Sequence, residues 1–282
     1  MSFPARIHII LAREAETALV IRRGPSNEVC TLLWDRSNDI FTMGQWFRGR
    51  LYERRCDLSP DGRHFIYFVF KGKDDPVTKE SWTAISRTPY LKATGLWPHG
   101  GAWNGGGLFM SNESYWLDTF WLNKTDALMT PPDLQLHREA PFHNKDGGEC
   151  PGVYYIRLQR DGWRLASESS DQDDHLSIFE KRLPDGWILR KVAHATIKHP
   201  VGKGCYFDTH SLHHRQSKID VDCPDWEWAD WDRHRLVWIN AGILFTCDGV
   251  FRISRDGQRD EGSDQQLSDF NHLHFTNIEA PY

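Results

Sequence analysis

The chain has 282 residues, 39% hydrophobic and 13% aromatic, with 34 Lys and Arg against 39 Asp and Glu for a formal net charge of −5. That length suits a single all-β domain whose core stands without disulfides or metal, and the acidic balance argues against a nucleic-acid binder or a ligand of anionic membranes. Six cysteines are scattered without a CxxC pair, which excludes zinc-ribbon and thioredoxin-type readings and predicts buried free thiols in a reducing compartment.

In chain order, the apolar run Ile7–Leu11 is interrupted by His8 and followed by Arg13 and Glu14. It is too short and too polar for a signal peptide, and nothing approaches the length of a membrane span, so a cytoplasmic protein is expected. Strand signals then dominate: Ala18–Arg22, Cys30–Asp35, Asp39–Phe41, Gly49–Glu53 and Arg55–Leu58. After Ser59-Pro60-Asp61-Gly62 comes His64–Phe70 (HFIYFVF), β-branched and aromatic almost throughout, which reads as a strand buried on both faces.

Trp82–Phe109 holds three tryptophans, six glycines and two prolines, and no carboxylate. Its glycine cluster Gly100-Gly101-Ala102-Trp103-Asn104-Gly105-Gly106-Gly107 invites a phosphate-loop reading. A phosphate cradle needs a following helix and a lysine. Here Leu108-Phe109-Met110 looks like a strand, so the glycines are read as letting backbone pass close to bulky side chains. The stretch is expected to be two strand ends, Trp82–Ser86 and Gly107–Met110, joined by a long exposed loop.

Ser114–Leu128 is the best helix candidate, with an ambiguous period, and Asn123–Gly152 reads as a long loop or insertion. Asp-Gly pairs recur at Asp61, Asp146, Asp161, Asp185, Asp248 and Asp256, the signal of two-residue hairpin turns. Two of them share a frame, Tyr155–Trp163 and Phe179–Trp187, each with Trp directly after the turn. Further strands are expected at Trp226–Asp232, Arg235–Asn240, Ile243–Cys247, Val250–Ser254 and Leu273–Ile278.

Cys56-Asp-Leu-Ser-Pro-Asp-Gly-Arg-His-Phe-Ile-Tyr-Phe68 resembles the core of the TolB-type (PD40, WD40-like) β-propeller blade, and Trp226–Ile239 is similar to another blade with a degraded turn. The resemblance covers about a quarter of the chain and implies four-stranded blades around a channel. Blades of roughly 40–50 residues allow about five or six, of which five is the expected number, with the N-terminal strand and Leu273–Ile278 closing the ring. The alternative fold is a two-sheet β-sandwich.

Three chemistries are weighed. Tyr90, Trp97 and Trp103, with Arg87, His99 and Asn104, form a candidate aromatic face for a protein or small-molecule partner, against the bland account that tryptophans wedge between blades. Asp57, Asp230 and Asp232, with Asp118 and Glu227 behind them, are candidates for the facing carboxylate pair of a carbohydrate-active hydrolase, against turn and hydrogen-bonding roles. His210 and His214 share a strand face near Asp208 and are a weak metal pair, against surface histidines. The expected function is non-enzymatic binding through aromatic loops, without a cofactor.

Overall fold

The computed structural model describes residues 3–24, 27–118, 127–140, 142–143, 149–171, 174–248 and 264–282. The fold is all-β and propeller-like: strands that follow one another in sequence build five separate sheets rather than the two of a sandwich. Contacts group the chain into two units, one built on His8–Arg157 and His274–Tyr282, the other on Leu158–Leu273 with Pro4–Ile7.

β1 (Arg6–Leu11), which belongs to the first unit from His8 on, forms one sheet in order with β2 (Thr17–Arg23), β3 (Glu28–Asp35) and β4 (Ile40–Arg48). The second sheet contains β5 (Arg50–Leu51), β6 (Asp57–Leu58), β7 (His64–Phe70), β8 (Ser81–Arg87) and β9 (Ala93–His99). β7 pairs antiparallel with β5, β6 and β8. Its side chains alternate between two cores, as the HFIYFVF pattern requires. Phe65, Tyr67 and Val69 pack with Leu19, Ile21 and Leu58, while Ile66 packs with Ile85, Trp97 and Phe109 on the other side. Each such side chain contributes about 1.5–3 kcal/mol by leaving water.

The third sheet is β10 (Gly107–Phe109), β11 (Ser114–Leu117) and β12 (Gln135–His137), with β12 parallel to β11. β11 replaces the start of the helix expected at Ser114–Leu128, and residues 119–126 lie outside the described ones. The stretch expected to be a long loop thus carries β12 and the start of a helix.

That helix, α1 (Cys150–Arg160), stands where the first of the two similar frames predicts a strand. Cys150, Val153, Tyr154, Arg157 and Leu158 are buried, a spacing of i, i+3, i+4, i+7, i+8 that marks one helical face. Pro151 sits in the first turn, where a missing N–H costs nothing. At the other end Gly162 is left-handed (φ 89°), Trp163 N–H donates to the Leu158 carbonyl at 2.9 Å and Gly162 N–H to the Gln159 carbonyl at 3.2 Å. This is a Schellman cap, so Asp161-Gly162 ends a helix instead of turning a hairpin.

The second unit holds β13 (Arg164–Asp171), β14 (Asp174–Arg182), β15 (Trp187–Thr196), β16 (Tyr206–His214) and β17 (Ile219–Cys223) in one antiparallel meander. Here the other frame does turn a hairpin: Asp185 and Gly186, both at positive φ (56° and 84°), join β14 to β15. The last sheet is β18 (Trp226–Asp232), β19 (Arg235–Asn240), β20 (Ile243–Asp248) and β21 (Gln265–Asp269). Val250–Ser254 and the turns at Asp146 and Asp256 lie outside the described residues.

Leu273–Ile278 forms no strand, so the expected closure is corrected: β1 is the edge of the first sheet and β21 the edge of the last. The segment instead lies along the first unit. Phe275 meets the Trp46 ring at 5.8 Å, Arg48 covers it at 4.2 Å, and Gln45 Nε2 donates to the Ile278 carbonyl at 2.8 Å. Of the cysteines, Cys205 is exposed and the other five are buried, and none is in a disulfide. Among the described residues no helix is long and apolar enough to cross a membrane.

The glycine cluster is a close-packing device. A Cβ at Gly106 (φ 85°) would overlap the Arg55 carbonyl, whereas one at Gly100 would meet nothing within 4 Å. Gly106→Ala is therefore expected to cost about 3 kcal/mol or more in urea denaturation, from overpacking plus left-handed strain. Gly100→Ala is expected to stay within about 0.5 kcal/mol of the parent. Equal effects of the two substitutions would refute the packing account.

Candidate functional site

The expected aromatic face is not a single exposed loop. Ala93–His99 is strand β9, in register with β8 through Ser81↔His99 and Thr83↔Trp97. Trp97 is 3% exposed and packs on Tyr115 at 5.6 Å. His99 and Asn104 are buried as well. Of the residues from Trp97 to Asn104 named for that face, only Trp103, 64% exposed, stands in solvent as expected. The cause is Arg55, which draws the loop inward. Its Nη1 donates to the carbonyls of Ala102 (2.8 Å) and Asn104 (2.6 Å), and its guanidinium lies about 5 Å from the rings of Tyr52 and Phe68. Arg87 and Tyr90 are elsewhere, gathered around Tyr282, with Arg87 over its ring at 5.1 Å and Tyr90 edge-on at 6.1 Å.

The proposed carboxylates are spent on the fold. Asp57, fully buried, accepts the Phe109 N–H at 2.7 Å. Asp230 is paired with Lys181 Nζ at 2.5 Å and accepts from Trp163 Nε1 at 3.4 Å. Asp232, also fully buried, takes two bonds from Arg235, both at 3.1 Å. Asp118 is buried, and Glu227 accepts the Ile7 N–H at 3.2 Å. A pair facing an open pocket is therefore not formed by Asp230 and Asp232, because each turns to its own cation.

The histidines on β16 are likewise engaged. His210 is buried and donates through Nδ1 to the Trp226 carbonyl at 2.9 Å. His214 donates through Nε2 to the Asp185 carbonyl at 2.8 Å, so its Nδ1 accepts from the Ser217 hydroxyl at 2.6 Å and no lone pair is left for a metal. Among the described residues no group of three or more His, Cys, Asp or Glu side chains could hold a metal ion.

In the first unit a cleft of about 540 Å³ lies beside the Ser59–His64 turn, a size typical of small-molecule sites. Its floor follows from the turn chemistry of Ser-Pro-Asp-Gly. Ser59 Oγ donates to Asp61 Oδ1 at 2.6 Å and accepts the His64 N–H at 2.9 Å, and Arg63 N–H also donates to Asp61 at 3.0 Å. Gly62 sits at φ 75°, where a Cβ would overlap Thr17 Oγ1. His64 is the first residue of β7 and lies opposite Arg87, the last of β8. Thr88 N–H donates to the Arg63 carbonyl at 2.9 Å, which fixes the opposite wall. Leu33 and Asp133 complete the lining.

Three buried polar atoms in this lining, Thr17 Oγ1, His64 Nδ1 and Thr88 Oγ1, have no hydrogen-bond partner. Burial pushes the His64 imidazole below its ordinary range, with Asp61 pulling it back and Arg87 adding to the fall. The ring is therefore neutral at physiological pH, with one nitrogen to donate and one to accept. The sequence singled out the Ser-Pro-Asp-Gly turn as a hairpin signal and as the carrier of the TolB-type resemblance, not as part of a cleft. Thr17, Arg87 and Asp133 reach it through pairing and packing that no local pattern announces.

No family model matches the sequence, and no curated protein does either. Among solved structures, the chain is similar to the GH43 BlXynB protein from Bacillus licheniformis at 10% identity and a TM-score of 0.32, over 99% of this chain. The chain spans 59% of that protein's length.

Outside the cleft, His99 gives a direct reading of burial. Thr83 Oγ1 accepts from Gly106 N–H at 2.8 Å and shares a hydrogen bond with His99 Nε2 at 2.9 Å. Burial, helped by Lys79 and Arg55, lowers its pKa from 6.5 to about 4. Between those values the unfolded chain takes up a proton that the folded one refuses, so stability falls as pH drops through the window and is flat above it. The expected loss is about 3 kcal/mol between pH 7 and pH 4 beyond that of a His99→Gln variant. Denaturant unfolding of both proteins across that range measures it, and parallel pH profiles would contradict it.

Proposed function

We propose that the protein is a non-enzymatic binding protein and that its ligand is a small polar molecule held in the cleft beside the Ser59–His64 turn. The observation that carries this reading is that three side chains lining the cleft, Thr17, His64 and Thr88, each hold a buried polar atom without a partner, so that a modest side-chain rotation would turn it toward a ligand. A buried polar group without a partner costs about 1–3 kcal/mol. A ligand that supplies the missing donors and acceptors returns that energy on binding. The neutral imidazole suits the role, since it discriminates by hydrogen bonding instead of by charge. The TolB-type likeness belongs to the same proposal, because it rests on the turn that builds the cleft floor.

The hydrolase alternative has less support. Asp57, Asp230 and Asp232 are all committed to protein donors, and Asp61 is tied into its own turn. Binding of a protein partner through Trp103 has one exposed indole behind it, which is less than a hot-spot cluster needs.

Saturation-transfer NMR against a panel of sugars, amino acids and small carboxylates tests the reading. Leu33, half-buried at the cleft wall, is replaced by Trp to fill the space. Compounds that receive saturation from the parent protein are expected to lose at least ten-fold in affinity on Leu33→Trp, with the melting temperature nearly unchanged. Identical signals from both proteins, or none from the parent, would remove the cleft as a binding site.

A further inference from the structure

The charges around the cleft narrow the ligand further, on the footing of the binding reading above. Four charged side chains line it, and two of them are already matched: Arg63 Nε lies 3.5 Å from Asp61 Oδ2. The other two, Arg87 and Asp133, have no ion-pair partner among the described residues. Both act on His64 electrostatically, Arg87 lowering its proton affinity and Asp133 raising it, so both charges reach the same lining residue.

Arg87 is held without being used up. Its backbone N–H donates to the Tyr282 hydroxyl at 3.0 Å, that hydroxyl donates to the Lys92 carbonyl at 2.8 Å, and the guanidinium lies over the Tyr282 ring at 5.1 Å. Stacking occupies the face of a guanidinium and leaves its in-plane N–H fork available for two-pronged binding of a carboxylate. Tyr282 thus pre-orders the side chain and lowers the entropic cost of gripping a ligand. Asp133 is exposed, so it can meet an ammonium group without first being stripped of a protein partner.

We infer that the cleft takes a small zwitterion, a free amino acid or a short peptide, with its carboxylate on Arg87 and its ammonium on Asp133. The unpartnered atoms of His64, Thr88 and Thr17 then serve the polar atoms between the charged ends. A lone anion meets Arg87 but is repelled by Asp133; a lone cation has the reverse problem. A neutral polyol leaves both charges unmatched, and apart from His64 the cleft offers no aromatic ring for a sugar to stack on. The 540 Å³ volume leaves space for a side chain beyond the charged ends.

The test uses the full chain, with the His64 ring resonances followed by NMR while glycine and glycylglycine are added, each beside its N-acetyl and C-terminal carboxamide derivatives, and beside glycerol. Saturable shifts with at least one of the two zwitterions are expected, weakened ten-fold or more by either derivatisation. Asp133→Asn is expected to erase the penalty for N-acetylation and Arg87→Gln the penalty for the carboxamide, with melting temperatures confirming that both variants fold. The tighter of glycine and glycylglycine identifies the spacing of the charges and supports the inference either way. Derivatives or glycerol that shift His64 as strongly as the zwitterions overturn the inference and leave the cleft a binding site. Absence of any shift, together with no effect of Leu33→Trp on any ligand, overturns the inference and the binding reading with it.

Discussion

Burial of β7 on both faces is the constraint on which the first unit depends. A strand with apolar side chains on alternate faces needs cover on two sides, and neither side can be left to water without losing several kcal/mol. One face is covered by residues of β2 and by Leu58 of β6, the other by Trp97 of β9 and Phe109 of β10. Recruiting cover from that many strands is what turns a run of consecutive hairpins into a core. It also explains why Trp97 lies inside. An indole beside Ile66 and Tyr115 is worth more to the fold than one waiting for a partner at the surface.

The same face of β7 carries Phe68, and there the cover is a cation. Arg55 is 2% exposed, flanked by the rings of Tyr52 and Phe68, and donates to two loop carbonyls and to Cys150 Sγ at 3.4 Å. A buried guanidinium is tolerable only when its donors are satisfied and a counter-charge is within reach; Glu149 supplies the latter at 3.9 Å. The donors find carbonyls only if the loop comes in close. That closeness is why Gly105 and Gly106, whose Cβ atoms would overlap Phe68 and Arg55, stand where they do. The glycines serve a buried cation of the protein, where a phosphate loop would serve a bound anion.

Much of the strand framework was legible because the signals are local. His64–Phe70, Trp226–Asp232 and Arg235–Asn240 match the observed strands end to end, and Asp185-Gly186 turns the hairpin its dipeptide announces. The misses share one cause. The helix Cys150–Arg160 looks like a strand if the window opens at Tyr155, since its apolar stripe begins five residues earlier. Asp161-Gly162 reads alike as a hairpin turn or a helix cap, because both need positive φ at glycine. Ala93–His99 hides its strand character behind Gly95 and Pro98, and β12 is recruited by parallel pairing with β11 instead of by pattern. The carboxylates of Asp57, Asp230 and Asp232 could not be sorted from catalytic ones by sequence, because what disqualifies them is the donor each one meets.

The cleft was the least legible feature, yet it follows from the same strand. β7 runs out of core at His64, the one position in its first half that is only partly buried. A strand end paired on both sides, by β6 and β8, is held in place, and the Ser59–Asp61 bond locks the turn that precedes it, so His64 is fixed without hydrogen bonds consuming its Nδ1. Some polar groups elsewhere in this unit find partners, as Thr83 does with Gly106 and His99 and Ser86 with the Tyr90 carbonyl, while Trp46 Nε1, His99 Nδ1 and Asn104 Oδ1 stay unpaired in the core. Thr17, His64 and Thr88 are prevented from finding partners by the elements that hold them. Leaving three such groups unpaired is a cost that a core of this size can bear, and it is the kind of cost that accumulates where a ligand, not the protein, completes the hydrogen bonding.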